Sequence, residues 1–420
     1  MQNKIFKKID SQLDCAVKLQ ENLTAIAAIG PSNGGDGEFE KANYLESELK
    51  KLKFDEIKRI DAPDENVKSG VRPNLIARYK GENSDRTFWI MTHIDVVPAG
   101  NLELWKTDPF KVHREGNKLY GRGVEDNQQG MIASIVAVKS MMDEGYRPPF
   151  DIALLFVADE ETGSKYGIQY LLKNNPKLFS KKDVFLVPDG GNAKGNSIEI
   201  AEKSILRLKF TVIGKQCHAA TPTSGINPVN ASSKLVCKLS SLYQEYDLKN
   251  DIFDIPTSTF EPTIRKGHTA SPNTIPEKDI FYFDCRLIPA YDLNKVMSSI
   301  KSIVKQIEQE TKTKIEIETD RRVQVPPPLP LDSEIISLAK NAVKAACNID
   351  AFPVGISGGS AAKYINEKGF QAVLYGKVHR LGHCPNECST LDNLMDESKI
   401  MAHVAFNVKP VKKKVSCLKK

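Results

Sequence analysis

The sequence predicts an α/β fold with a smaller α+β domain inserted into it. Three observations carry that expectation. Apolar strand-like runs alternate with helical patterns early in the chain, a different order of elements takes over in the middle, and the first pattern resumes after a proline run. A chain of 420 residues also exceeds the roughly 100–200 residues of one typical domain.

In chain order, 88–92 reads as a short buried strand. Met131, Ile132, Ile135, Val136, Val138 and Met142 recur at helical spacing, and Gly145 with Pro148 and Pro149 closes that helix. Residues 152–157 form the next strand, 168–172 a helix, and 183–187 another strand. The pattern changes from Ser204: a strand at 205–213, a helix over 229–246, strands at 260–264 and 280–287, a helix at 293–307 and a strand at 315–318. That β-α-β-β-α-β order is the split βαβ plan of a ferredoxin-like domain. Pro326, Pro327 and Pro328 mark a linker. After it come a helix at 335–346, a strand at 353–356, a helix from Ser360, a strand at 372–375 and a last helix near Ala402. The expected domains are therefore 1–203 with 321–420, and an insertion at 204–320.

Composition excludes several classes. The net charge is +6, from 59 basic and 53 acidic residues. Part of that excess sits in Lys409, Lys412, Lys413, Lys414, Lys419 and Lys420, which read as a solvated tail. No basic stripe interleaved with aromatics accompanies it, so no nucleic-acid partner is expected. The first residues hold no apolar core of a secretory signal, and no apolar run approaches the roughly 20 residues of a membrane helix. The eight cysteines form no CxxC pair, and reduced thiols in a cytoplasmic protein are the expectation.

Acidic residues and histidines stand at the ends of the predicted strands, where open α/β sheets collect their working groups. His93 and Asp95 follow the first strand; Asp126 opens a helix; Asp159, Glu160 and Glu161 follow the second strand; Asp189 follows the third. His383 comes later, in Gly382-His383-Cys384-Pro385-Asn386-Glu387. Taken singly, Asp126 reads as a helix cap, Glu160-Glu161 as a solvated turn, Asp189 as turn chemistry and His383 as a loop histidine. Together they suggest one metal-binding cavity. Zinc takes histidine nitrogen and carboxylate oxygen at about 2.0–2.2 Å. Two histidines and three carboxylates exceed one four-coordinate ion and suit two, about 3.5–4 Å apart, sharing a carboxylate. Two acids are left over. Asp95 is placed to hold His93 in one tautomer, and Glu160 is a natural general base.

These segments resemble the metallopeptidase family that contains acetylornithine deacetylase, succinyl-diaminopimelate desuccinylase, carboxypeptidase G, aminoacylase and the bacterial dipeptidases. The resemblance rests on Thr92-His93-Ile94-Asp95-Val96-Val97-Pro98, Gly121-Arg122-Gly123 through Asp126-Asn127-Gln128-Gln129-Gly130, Asp159-Glu160-Glu161-Thr162-Gly163-Ser164, and His383-Cys384-Pro385-Asn386-Glu387. It implies a mixed central sheet with helices on both faces, and an inserted lid and dimerisation domain. It implies two metal ions; the Irving–Williams order favours zinc, with cobalt or manganese as substitutes in vitro. His93 and Asp189 would hold one, Glu161 and His383 the other, with Asp126 bridging and a cis peptide after it. Asp95 would orient His93, and Glu160 would act as base, then acid, on a water shared by the ions. In the insertion, His218 resembles a residue that steadies the oxyanion in a partner subunit's site. Arg286 resembles a substrate-carboxylate clamp, and Asn273 and Gly359 lie in further binding segments.

The implied activity is hydrolysis of the amide bond of small N-acyl amino acids by a cytoplasmic homodimer. The alternatives are a dipeptidase or aminopeptidase acting on free-amine peptides, and a non-catalytic metal-stabilised binding protein. Two departures bear on the choice. Relatives often carry an acidic residue soon after the double glycine, where this chain has Ala361 and Ala362. Deacylases of the family tend to carry Glu at the position of Asp189, and its peptidases Asp, although the overall run resembles the acetylornithine/succinyl-diaminopimelate branch.

Overall fold

A computed structural model describes residues 1–266 and 271–410. The lysine-rich end from Lys412 and the last cysteine, Cys417, lie outside the described residues. The chain divides into two compact units. The first comprises Met1–Ile200, Leu329–Pro353 and the chain from Ser360 onward; the second comprises Ala201–Pro328 and Val354–Gly359.

Most of an eight-stranded sheet belongs to the first unit. Its spatial order is Glu56–Pro63, Val71–Tyr79, Phe150–Val157, Asn83–His93, Val184–Val187, Gln371–Leu374, Ser197–Glu202 and Phe352–Ile356. The four strands from Phe150–Val157 to Gln371–Leu374 run parallel. Antiparallel neighbours flank them, so the sheet is mixed, as expected. The parallel strands are apolar on both faces because helices cover both. All eight residues of Phe150–Val157 are buried. Register is what matters for function: His93 lies opposite Val157, and Leu374 opposite Val187. The carboxyl ends of these strands therefore line up along one edge, where the next residues of each must turn away.

The second unit has a four-stranded antiparallel sheet in the order Thr259–Lys266, Lys278–Leu287, Ser204–Ile213, Lys314–Val323. Its helices Pro228–Leu239 and Leu293–Thr311 supply Leu235, Leu239, Val296 and Ile300 to a core shared with Leu208, Phe210, Phe281 and Phe283. This is the split βαβ order read from the sequence. Its last strand runs on to Val323, past residue 320. The helix expected over 229–246 is broken: it ends at Leu239 and a short turn of helix follows at Leu242–Glu245. Two serines sit at the break, and the Ser240 hydroxyl donates to the Cys237 carbonyl at 2.6 Å, drawing off a backbone acceptor.

Three α-helices that the sequence pattern does not predict precede the first strand, Gln2–Asp10, Leu13–Thr24 and Phe39–Lys50. The seven cysteines among the described residues are free thiols. No helix of the described residues is long and apolar enough to cross a membrane.

Candidate metal centre

At the carboxyl edge of the parallel strands, two groups of donors meet: His93, Asp126 and Asp189, and Asp126, Glu161 and His383. Asp126 belongs to both because its two oxygens face different histidines. Oδ1 lies 2.9 Å from His93 Nε2, and Oδ2 lies 3.2 Å from His383 Nε2. Asp189 Oδ1 is 3.6 Å from His93 Nε2, and Glu161 Oε2 is 2.9 Å from His383 Nε2. The peptide between Asp126 and Asn127 is cis. Helix Gln128–Asp143 starts with Asn127 at its N-cap and no side-chain cap bond, so capping does not account for Asp126.

The supporting contacts fix these donors. His93 Nδ1 lies 2.9 Å from the Asp95 carbonyl oxygen, which holds the proton on Nδ1 and leaves Nε2 as the ligand nitrogen. The Asp95 carboxylate is 3.4 Å from the same ring nitrogen and does a second job. It accepts the backbone N–H groups of Glu160 at 3.1 Å and Glu161 at 3.0 Å, fixing the turn that presents both glutamates. The Glu160 carboxylate has no hydrogen-bond partner among the described residues.

Five carboxylates against two imidazoles make a strongly anionic cluster. Burial, then the charge of Asp126, pushes the Glu161 carboxyl up to about 7. Burial and the nearby Asp189 charge raise Glu160 well above the usual range. Asp126 and Glu161, hydrogen-bonded to His383, raise that imidazole to about 10. Protein groups alone therefore favour keeping protons on Glu160, Glu161 and His383, the response of a site with more carboxylates than cations, and Glu161 Oε1 is buried with no hydrogen-bond partner. Cations answer both. The donors fit divalent metal of the kind that accepts nitrogen and carboxylate oxygen, in a dinuclear arrangement sharing one carboxylate. A cavity of about 250 Å³ opens onto the site, lined by Glu125, Asp126, Asp189, Arg380, Gly382 and His383 among others.

Residues 89–407 match the model of peptidase family M20/M25/M40. An uncharacterized metallohydrolase of Methanococcus maripaludis is 37% identical over 93% of this chain and 98% of its own length. The chain belongs to peptidase family M20/M25/M40. It is an M20 metallohydrolase, and the donor groups above are consistent with the dinuclear site of such an enzyme. A succinyl-diaminopimelate desuccinylase of Polynucleobacter necessarius is 26% identical over 91% of this chain and 96% of its own length. Among solved structures, the dipeptidase Dug1p of Saccharomyces cerevisiae has the same fold, with a TM-score of 0.74 at 18% identity over 97% of this chain and 98% of that one.

The other residues singled out from the M20 resemblance lie in the second unit. His218 is exposed, in a two-residue strand paired with Thr274–Ile275, and Ala219 N–H donates to the Asn273 carbonyl at 2.8 Å. Ala220 N–H donates to His218 Nδ1 at 3.0 Å, so the neutral ring carries its proton on Nε2. Arg286 donates from Nε to Asp284 at 2.8 Å and from Nη1 to the Ser357 carbonyl at 3.1 Å, which ties it to the turn containing Gly359. Ala361 and Ala362 are buried in an apolar cluster with Trp89, Phe185 and Leu374, packing the sheet rather than facing substrate.

Three residues at the site escaped the sequence reading. Arg380 donates from Nε to the Gly191 carbonyl at 2.8 Å and lies 3.5 Å from the buried Glu199 carboxylate, at the wall of the cavity. Glu125 and Glu387 are buried and accept backbone N–H groups around Asp126 and His383. Both lie inside the recognised segments, but apart from the Arg122 guanidinium on Glu387 their partners are backbone amides, which leave no trace in side-chain identity.

Proposed function

We propose that this M20 metallohydrolase removes the acyl group from small N-acylated amino acids, using two divalent ions of which zinc is the natural candidate. The observation that carries the two-ion reading is the division of labour on Asp126, one carboxylate oxygen toward each histidine. His93 and Asp189 would hold one ion, Glu161 and His383 the other. Ions bound there supply Lewis-acid polarisation of the scissile carbonyl and lower the pKa of water from about 16 toward about 7.

The chain's own residues do the rest. Glu160, unpartnered and held by its backbone to Asp95, takes the proton from the attacking water and returns it to the leaving amine. Asp95 fixes the His93 ring and the Glu160–Glu161 turn together. His218, with its proton on Nε2, is suited to donate to the oxyanion. Arg286, Asn273 and Gly359 are candidate substrate contacts, and the second unit is the candidate lid and dimerisation domain.

Two findings support an acylated, anionic substrate. The guanidinium of Arg380 lines the cavity, anchored at Nε, and suits a substrate carboxylate. Relatives matched along more than nine-tenths of this chain include succinyl-diaminopimelate desuccinylases. One observation favours a second reading, a dipeptidase of the same family: the ligand at 189 is the shorter Asp, which the resemblance associates with peptidases.

A product assay separates the two. The panel holds N-succinyl-diaminopimelate, N-acetylornithine, other N-acyl amino acids and unblocked dipeptides, each with zinc-loaded and chelator-stripped enzyme. Zinc-dependent release from the acylated compounds alone is the expected result. Cleavage of the free-amine dipeptides alone would replace the deacylase reading with the dipeptidase one.

A further inference from the structure

We propose that Glu125 and Glu387 form a reciprocal clasp that sets the distance between Asp126 and His383, making both positioning residues for the metal centre. Each carboxylate is attached to one of the two loops and grips the amides of the other. Glu387 follows His383 by four residues and is fully buried. Its Oε1 accepts the N–H groups of Glu125 at 2.9 Å and Asp126 at 3.0 Å. Its Oε2 accepts Gly123 N–H at 3.0 Å and Arg122 Nη1 at 2.6 Å. Its backbone carbonyl accepts Gly121 N–H at 3.1 Å. Glu125, directly before Asp126, returns the arrangement: its carboxylate accepts N–H groups from His379, from Leu381 at 2.7 Å and from Gly382 at 3.2 Å.

Three features make this more than ordinary loop anchoring. Both carboxylates accept donors on both oxygens, and neither belongs to the two donor groups. The loop they hold is under conformational constraint: Arg380, His383 and Asn386 all adopt left-handed backbone, with φ of 60°, 66° and 59°. Non-glycine residues stay there only where surrounding contacts over-determine them. Finally, the contact is tight at its centre. A Cβ on Gly382 would sit 2.9 Å from Asp126 Oδ2, so the clasped loop is seated against the shared carboxylate.

The consequence is asymmetric. His93 and Asp189 stand at strand ends that the clasp does not touch. His383 is placed by the clasped loop, so the position made by Asp126, Glu161 and His383 depends on it most. The proposal rests on the two-ion reading above, and the experiment separates the two. Zinc and cobalt titrations of chelator-stripped wild-type, Glu125→Gln and Glu387→Gln chains give stoichiometry and affinity. Each glutamine turns an NH₂ toward backbone donors. A wild-type chain binding fewer than two ions would overturn the two-ion reading by itself.

The clasp is read from the ratio of variant to wild type. The expected result is a loss of about 10–100-fold in affinity at one of the two positions, with the other less affected, and a shifted visible spectrum of the cobalt form. Wild-type affinities and spectrum in both variants would overturn the clasp. Glu397→Gln is the control: it also alters a buried carboxylate, whose partners are Gln129 and the Lys377 N–H, and it should leave the cobalt spectrum unchanged. A shift of equal size in that control would reduce the clasp to general destabilisation. If one clasp variant fails to fold, the other decides.

Discussion

Gly382 shows how closely Asp126 is confined. An added methyl would fall 2.9 Å from the shared carboxylate oxygen and 3.1 Å from its Cβ. Gly382→Ala should therefore displace Asp126 and lower metal content while leaving secondary structure intact, which metal counting and circular dichroism together would check. Glu160 gives the opposite separation. Its carboxylate makes no bond that holds the site together, so Glu160→Gln should keep its metal and lose turnover by about 10²–10⁴-fold. Unchanged turnover would sink its assignment as the base. Glu397 makes a prediction about pH. Burial raises its carboxyl from 4.5 to about 8, so the folded chain keeps a proton that the unfolded chain releases. Its stabilising contribution is complete below about 4.5 and is lost as pH rises through about 8. Melting temperatures measured from pH 5 to 9 should fall less steeply with pH in Glu397→Gln than in the wild type.

At the scale of elements, the aligned ends of the parallel strands explain why the site was legible. A run such as 150–157 is buried on both faces, so its apolar pattern is continuous, and the acidic residues that follow mark the sheet edge. The donors His93, Glu161 and Asp189 were readable for that reason. The break at Ser240 was not, because a serine bonding back to Cys237 competes with the helix only once the local geometry exists. Asp183 illustrates the same limit. It accepts Thr87 N–H at 2.9 Å, Trp89 Nε1 at 2.8 Å and Ser180 N–H at 2.8 Å, which pins the strand leading to His93. Asp183→Ala would strand buried donors and should cost about 2–4 kcal/mol in urea unfolding. A loss under about 0.5 kcal/mol would mean that water replaces those bonds.

For the whole molecule, all the proposed metal ligands belong to the first unit. Metal binding stabilises only the state that binds it, by about 2.7 kcal/mol at a free concentration one hundred times Kd. Chelation should lower the calorimetric transition of that unit and leave that of the second unit in place; equal shifts in both would show the units to melt as one. The sequence by itself determined the α/β class, the inserted split βαβ unit and the set of acidic residues and histidines at strand ends. Those follow from side-chain periodicity and from residue types whose chemistry is their own. Only the tertiary structure decided that Asp126 faces both histidines, that Asp95 holds the Glu160 turn, and that Glu125 and Glu387 grip each other's loops. These contacts join residues as far apart as Asp126 and Glu387, and most of their donors are backbone N–H groups. Every residue but proline carries such a group, so sequence cannot say which one a carboxylate will find.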